Sequence, residues 1–313
     1  MSVNKEILFI KPIFKENIWG GSRLNTEYGY QIPSNTTGEC WAVSAHENGD
    51  CLVSNGQFAG ESLAKLWKEQ QALFGNIGGD KFPLLIKIID AKDDLSIQVH
   101  PDDTYAKEHE NGSLGKTECW YILDCKEDQE IVIGHNAKSK EELVSLIEQK
   151  KWNQLIRTHS IKKGDFFQIN PGTVHAIKGG TLILETQQNS DITYRVYDYD
   201  RLTDGQPRQL HIDKSIDVIH VPFVEEKYQE DKDVKSQCKK LIACNYYEVY
   251  KFEITKEEEF LQDKAFQIMS VVEGEGSING TNIKKGDHFI LPYQFGTYKL
   301  DGNMTIIASN PTI

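Results

Sequence analysis

The chain has 313 residues, 39% hydrophobic and 26% charged, with a formal net charge of −12 and a pI of about 5.3. That length allows one large domain or two modest ones. The negative charge argues against nucleic acid or an anionic membrane surface as partner, since both draw on clustered Lys and Arg.

No apolar run approaches the ~20 residues that span a bilayer. The N-terminus lacks a signal-peptide core followed by a small-residue cleavage site, so a cytoplasmic protein is expected. Cys40, Cys51, Cys119, Cys125, Cys238 and Cys244 form no Cys-x-x-Cys pair and are expected to be free thiols without a metal role.

From Ile7 to Val53, short apolar or aromatic runs broken by Gly, Asn and Pro predict short strands with tight turns. Leu63, Leu66, Trp67, Leu73 and Phe74 fall mostly on one helical face and predict one amphipathic helix stopped by Gly75. Phe82 to Asp90 is an apolar run with Lys87 inside it. A lysine there either snorkels to water or faces a functional cavity.

In Leu95–Asp103, strand alternation sets Gln98 and His100 on one face, two positions apart. This is half of a metal site, or a strand end with a hydrogen-bonded histidine. Pro101 turns the chain, and Asp102 or Asp103 can cap a helical segment over 104–110.

The strand beginning near Lys116 puts Glu118, Trp120 and Ile122 on one face, where a buried carboxylate needs a cation. The alternative is an exposed strand start at which Glu118 pairs with Lys116. Ser139 and Glu142 make a capping box, and the out-of-phase sets Leu143/Leu146/Ile147 and Trp152/Leu155/Ile156 predict two short helices broken near Lys150 and Lys151. Next, Gly164–Asp165 predicts a hairpin turn, and Pro171–Gly172 a second turn that delivers His175 onto a strand. Strands carrying Glu185 and Arg195 follow, then a charged, weakly patterned linker from Val224 to Ser236.

Ile283-Lys-Lys-Gly-Asp-His-Phe-Ile-Leu repeats Ile161-Lys-Lys-Gly-Asp-Phe-Phe-Gln-Ile almost residue for residue. The first copy continues to His175. The second runs through Phe295 and Thr297 with no histidine, as expected of a duplicated unit in which one copy does chemistry.

Gly-Asp, a strand and Pro-Gly-x-x-His, preceded by a His strand and a glutamate, resemble the two halves of a cupin motif. The resemblance implies a mainly β fold of two jelly-roll (cupin) barrels with short helical insertions at about 58–76 and 138–157. Residues 1–236 would form the catalytic domain and 237–313 a second, metal-free one. More closely, the chain resembles type I mannose-6-phosphate isomerases of the short bacterial branch, over nearly its whole length. The residues that carry this are Glu16-Asn-Ile-Trp-Gly-Gly, Gly38-Glu-Cys-Trp, Phe82-Pro-Leu-Leu-Ile-Lys, Ser96-Ile-Gln-Val-His-Pro, Lys116-Thr-Glu, Pro171-Gly-Thr-Val-His-Ala and Asn189-Ser-Asp with Arg195.

That resemblance implies one Zn2+ per chain on Gln98, His100, Glu118 and His175. It implies Arg195, Glu185 and Asp191 as catalytic residues, and Lys116 and Lys87 as substrate-binding ones. Arg201 is a further phosphate candidate, against the plainer reading of a solvated surface arginine. The expected partner is a phosphorylated hexose, in a monomer or weak homodimer.

The ligand set suits the chemistry. An aldose–ketose interconversion moves a proton between C1 and C2 through a cis-enediol, and a dication on two neutral imidazoles, an amide and one carboxylate keeps net positive charge for polarising the oxygens. Ligand type alone does not choose the metal. An iron or manganese oxygenase and a non-catalytic sugar-phosphate sensor are therefore the competing readings.

Overall fold

The computed structural model describes residues 6–203, 205–225 and 237–312. The expected linker therefore lies, from residue 226 on, outside the described residues. The fold is mainly β, and three large sheets carry it.

A six-stranded antiparallel sheet runs Phe166–Ile169, Glu118–Cys125, Thr181–Gln188, Leu84–Ala91, Ile13–Gly21, Thr37–Val43. A five-stranded sheet runs Ile156–Ser160, Glu130–His135, His175–Ala176, Ile97–Val99, Tyr194–Tyr197. These two sheets share an interior containing Ile89, Trp120, Ile122, Ile131, Ile133 and Ile183. On its outer side the five-stranded sheet packs Val99, Val132 and Val196 against helices Lys140–Glu148 and Ile212–Val218, through Leu143, Ile147 and Val218.

The six-stranded sheet is buried on both faces. Alternate residues Ile86, Ile88, Leu182, Leu184, Cys119 and Tyr121 pack against Tyr247, Val249, Ile268, Ile290 and Ile307 of the C-terminal sheet. Two-sided burial explains why Leu84–Ala91 reads as an unbroken apolar run. It also leaves Lys87 no route to water, and at 4% exposed it does not snorkel.

The nine-stranded C-terminal sheet includes Leu8–Lys11, which pairs with His288–Leu291 on one side and Leu52–Val53 on the other. The repeated segment recurs in three dimensions. Gly164 N–H and Gly286 N–H donate to the carbonyls of Ile122 and Val271 at 2.8 and 2.9 Å. Asp165 and Asp287 each accept the backbone N–H of the residue three before, Lys162 and Lys284, at 2.9 and 2.8 Å.

Two local expectations change. The segment from Leu63 to Phe74 is a helix over Leu63–Glu69 and then a 3₁₀ turn over Gln71–Phe74, because the break at Gln70 swings Phe74 into an aromatic cluster with Trp67, Phe82 and Phe266. The Gly164–Asp165 turn does not close a hairpin. Ile156–Ser160 pairs in the five-stranded sheet and Phe166–Ile169 in the six-stranded one, so the turn is a crossover between sheets. The helices expected around Lys150 form as Lys140–Glu148 and Trp152–Leu155, with Lys150 itself at φ 52°.

Candidate metal centre and its pocket

Sheet register places the polar residues in two facing rows. In the five-stranded sheet Ile133 pairs with His175, His175 with Gln98, and Gln98 with Arg195. Across the interior, Trp120 pairs with Glu185, Glu185 with Lys87, and Lys87 with Trp41. The Trp120 and His175 rings meet edge-on, centroids 5.5 Å apart.

His100, Glu118 and His175 converge, with ligand atoms all within 4.8 Å of one another and every residue buried. His100 Nε2 and His175 Nε2 are 3.1 Å apart, and each lies 3.4 Å from a Glu118 oxygen. His175 Nδ1 donates to the Thr173 carbonyl at 2.8 Å, which leaves Nε2 as a bare lone pair. Gln98 Nε2 lies 3.2 Å from that same nitrogen. Turned over, the same amide presents its oxygen there.

Burial lowers the pKa of both histidines, that of His100 to about 3, with Lys116 adding to the effect and Glu118 opposing it. Burial would raise Glu118, but Lys116, then His100 and His175, hold it well below the usual carboxylate range. The result is a set of buried proton acceptors with no proton to share beyond one on His100, and Glu118 Oε1 receives no hydrogen bond. A cation is the group that fits such a set.

Beside the cluster lies a cavity of about 350 Å³ lined by Gln98, Lys116, Glu185, Lys87, Asp191, Arg195 and Arg208, with Trp41 and Asn48 among its other walls. Lys116 Nζ sits 2.9 Å from Glu118. Lys87 Nζ lies between Glu39 at 3.6 Å and Glu185 at 3.5 Å. Both lysines expected to bind substrate therefore line the cavity with their charge already matched by buried carboxylates.

Glu185 accepts from Trp120 Nε1 at 3.2 Å. Burial, and after it the charge of Glu118, pushes its carboxyl up to about 6 against the pull of Lys116 and Lys87.

Among the described residues, no carboxylate pairs with the Arg195 guanidinium within 4.0 Å, and its buried Nε has no partner. Burial and the nearby Arg208 lower its pKa. Asp198 holds both Arg208 and Arg201, and Arg201 also donates to the Asp94 carbonyl. Arg201 is thus a half-buried brace that does not line the cavity.

Asp191 is held by Asn48 Nδ2 and lies 3.5 Å from His46 Nε2. Glu39, His46, Asn48 and Arg208 were not singled out from the sequence. Only Glu39 left a trace, in Gly38-Glu-Cys-Trp, where the i, i+2 spacing lets Trp41 Nε1 donate to it at 2.8 Å.

A jelly roll with a His–Glu–His cluster inside one barrel defines a cupin. More narrowly, residues 7–133 match the family model "Phosphomannose isomerase type I, catalytic domain" and residues 237–311 "Mannose-6-phosphate isomerase, cupin domain". The chain is 52% identical to mannose-6-phosphate isomerase ManA of Bacillus subtilis, covering 97% of this chain and 99% of that one. To the mannose-6-phosphate isomerase of Streptococcus mutans it is 46% identical, over 97% and 98%. It superposes on the crystal structure of the Bacillus subtilis mannose 6-phosphate isomerase with a TM-score of 0.95 at 50% identity, over 97% of this chain and 99% of that one. The chain belongs to the type I phosphomannose isomerase family.

Proposed function

We propose that the chain is a zinc-dependent isomerase interconverting mannose 6-phosphate and fructose 6-phosphate through a cis-enediol. The observation that carries this is the convergence of His100, Glu118 and His175, deprotonated and buried, beside a cavity that presents an uncompensated guanidinium. Gln98, His100, Glu118 and His175 would hold one Zn2+. A bound dication supplies Lewis-acid polarisation of the sugar oxygens.

The chain's own groups do the rest. Glu185, poised near pH 6 at the cavity wall, moves the proton between C1 and C2. Arg195 stabilises the negative charge of the enediolate. Asp191, held by the hairpin residues Asn48 and His46, binds sugar hydroxyls. Lys116 and Lys87 hold Glu118 and Glu185 in place and donate to substrate oxygens. Asp198 shares one negative charge between Arg201 and Arg208, so that corner stays net positive and suits a phosphate.

We further assign residues 1–236 to the catalytic domain and 237–313 to a barrel without metal. In the second copy Leu291 pairs with Gln267 where the first pairs Ile169 with Glu118. A neutral amide that accepts from Tyr298 OH at 3.1 Å replaces the carboxylate. The enzyme is placed in the cytoplasm as a monomer or weak homodimer; among the described residues no helix is long and apolar enough to cross a membrane.

The test is a coupled isomerase assay on enzyme as purified, after chelation, and after zinc add-back. Activity should disappear with chelation and return with zinc. No fructose 6-phosphate from metal-replete enzyme would sink the reading; oxygen uptake by an iron form, or saturable binding without product, would replace it.

A further inference from the structure

The short hairpin that pairs Ala45–His46 with Gly49–Asp50 reaches the rim of the cavity. It brings His46 and Asn48, two residues apart, onto one carboxylate. Asn48 Nδ2 donates to one oxygen of Asp191, and His46 Nε2 lies 3.5 Å from the other. The tautomer of His46 is set by the hairpin itself. Its Nδ1 accepts the backbone N–H of Asn48 at 3.1 Å, so the ring proton is on Nε2 and faces Asp191. Burial lowers the pKa of His46, against the pull of Asp191, and keeps the ring neutral.

His46 is buried, and its ring meets Trp41 edge-on at 5.8 Å. It does not line the cavity itself, whereas Asp191 and Asn48 do. A carboxylate has about four acceptor positions. His46 and Asn48 take two of them, and the others remain for a ligand in the cavity that Asp191 lines.

We propose that His46 is a positioning residue for substrate: with Asn48 it aims the Asp191 carboxylate so that its outward lone pairs accept a hydroxyl of the sugar. The contact is loose at 3.5 Å, and hydrogen bonds of this kind tighten once substrate is bound. The proposal rests on the isomerase reading above, because that reading supplies the polyhydroxylated ligand.

Two substitutions separate positioning from packing. His46→Phe keeps a ring against Trp41 and removes the N–H, while His46→Gln keeps a donor at the same reach. The expected result is a roughly ten-fold rise in KM for His46→Phe, since a misplaced group can cost up to ~10²-fold, with kcat within about two-fold, the mark of lost uniform binding. His46→Gln should recover most of the loss. In an Asp191→Asn background, His46→Phe should add nothing further. An unchanged KM in His46→Phe, or effects that simply add in the double variant, would overturn the proposal.

A readout that needs no turnover accompanies these. The Nε2–H proton of His46 should give a solvent-protected NMR resonance in the wild-type chain and exchange faster in Asp191→Asn. If wild-type enzyme fails to isomerise mannose 6-phosphate, the isomerase reading falls. The resonance still decides the His46–Asp191 link, and its absence from wild type overturns it.

Discussion

Arg195 is a half-buried cation and Lys87 a buried one, and their surroundings give them opposite sensitivities. Arg195 has no described carboxylate partner, so Arg195→Ala leaves no anion stranded. That variant should fold as the wild type does and, on the proposed zinc reading, keep the metal, while turnover drops by about 10²–10³, the usual loss on removing one such donor; a fully active variant would remove Arg195 from the mechanism. Lys87 stands between Glu39 and Glu185. Lys87→Met should destabilise the fold by roughly 3–5 kcal/mol, because it strands buried carboxylates. The sign with pH follows from Glu185, already raised to about 6 by burial and then by Glu118. In the variant its folded pKa rises further above the unfolded one, so the folded state gains protons on acidification. The loss, read by urea unfolding, should be largest near pH 8 and shrink as pH falls through about 6. Alternation along single strands made the shared face of Gln98 and His100, and the inward side of Glu118, legible from the sequence, and the Pro-Gly turn did the same for His175. The partners Glu39, His46, Asn48 and Arg208 were not legible, because each meets the site through strand register or hairpin placement, which local spacing does not encode.

At the scale of elements, the duplicated Lys-Lys-Gly-Asp turn offers a comparison within one chain. Gly164 and Gly286 have φ values of 91° and 93°, where an L side chain is strained by about 1–2 kcal/mol. A Cβ on Gly164 would meet only Tyr121 OH at 3.9 Å, whereas one on Gly286 would press Tyr30 OH at 3.0 Å and its ring at 3.3 Å. Gly164→Ala should therefore cost only the backbone strain. Gly286→Ala should cost more, since Tyr30 OH donates to the Gly286 carbonyl at 2.7 Å and cannot withdraw freely. Thermal unfolding of the two variants orders them, and equal shifts would show that Tyr30 yields. The turn itself was legible from Gly-Asp and its repeat. Its use as a crossover was not, because the four residues set the turn and not the partner that the next strand finds. The break at Gln70 was hidden for a similar reason: distant Phe82 and Phe266 decide where Phe74 points.

Across the whole molecule, a small buried network ties the two barrels. His288 Nδ1 lies 2.9 Å from Ser270 Oγ and Nε2 lies 2.9 Å from Tyr30 OH, whose own proton goes to the Gly286 carbonyl. Every group is satisfied with the imidazole neutral. Burial accordingly lowers the His288 pKa to about 3. Because the folded pKa is depressed below the unfolded value of about 6.5, this contribution is complete above about pH 6.5 and is lost as pH falls toward 3, at about 1.4 kcal/mol per pH unit. His288→Gln can keep both contacts without a titrating ring. Its stability should fall less steeply than wild type between pH 6 and 4, by about one proton's worth of slope; parallel curves would place the titration elsewhere. The pairing of Leu8–Lys11 with His288–Leu291 carries a further consequence, for synthesis. Leu52–Val53 is there early for one edge of Leu8–Lys11, but the partner of the other edge arrives only when nearly the whole chain has been made, and at about 5–20 residues per second that wait is tens of seconds. During it the catalytic sheet, complete by Gln188, has its second face uncovered. Nascent chains halted before residue 288 should thus be the ones a chaperone holds longest, and synonymous codons that slow the last stretch should lower yield without changing the finished enzyme.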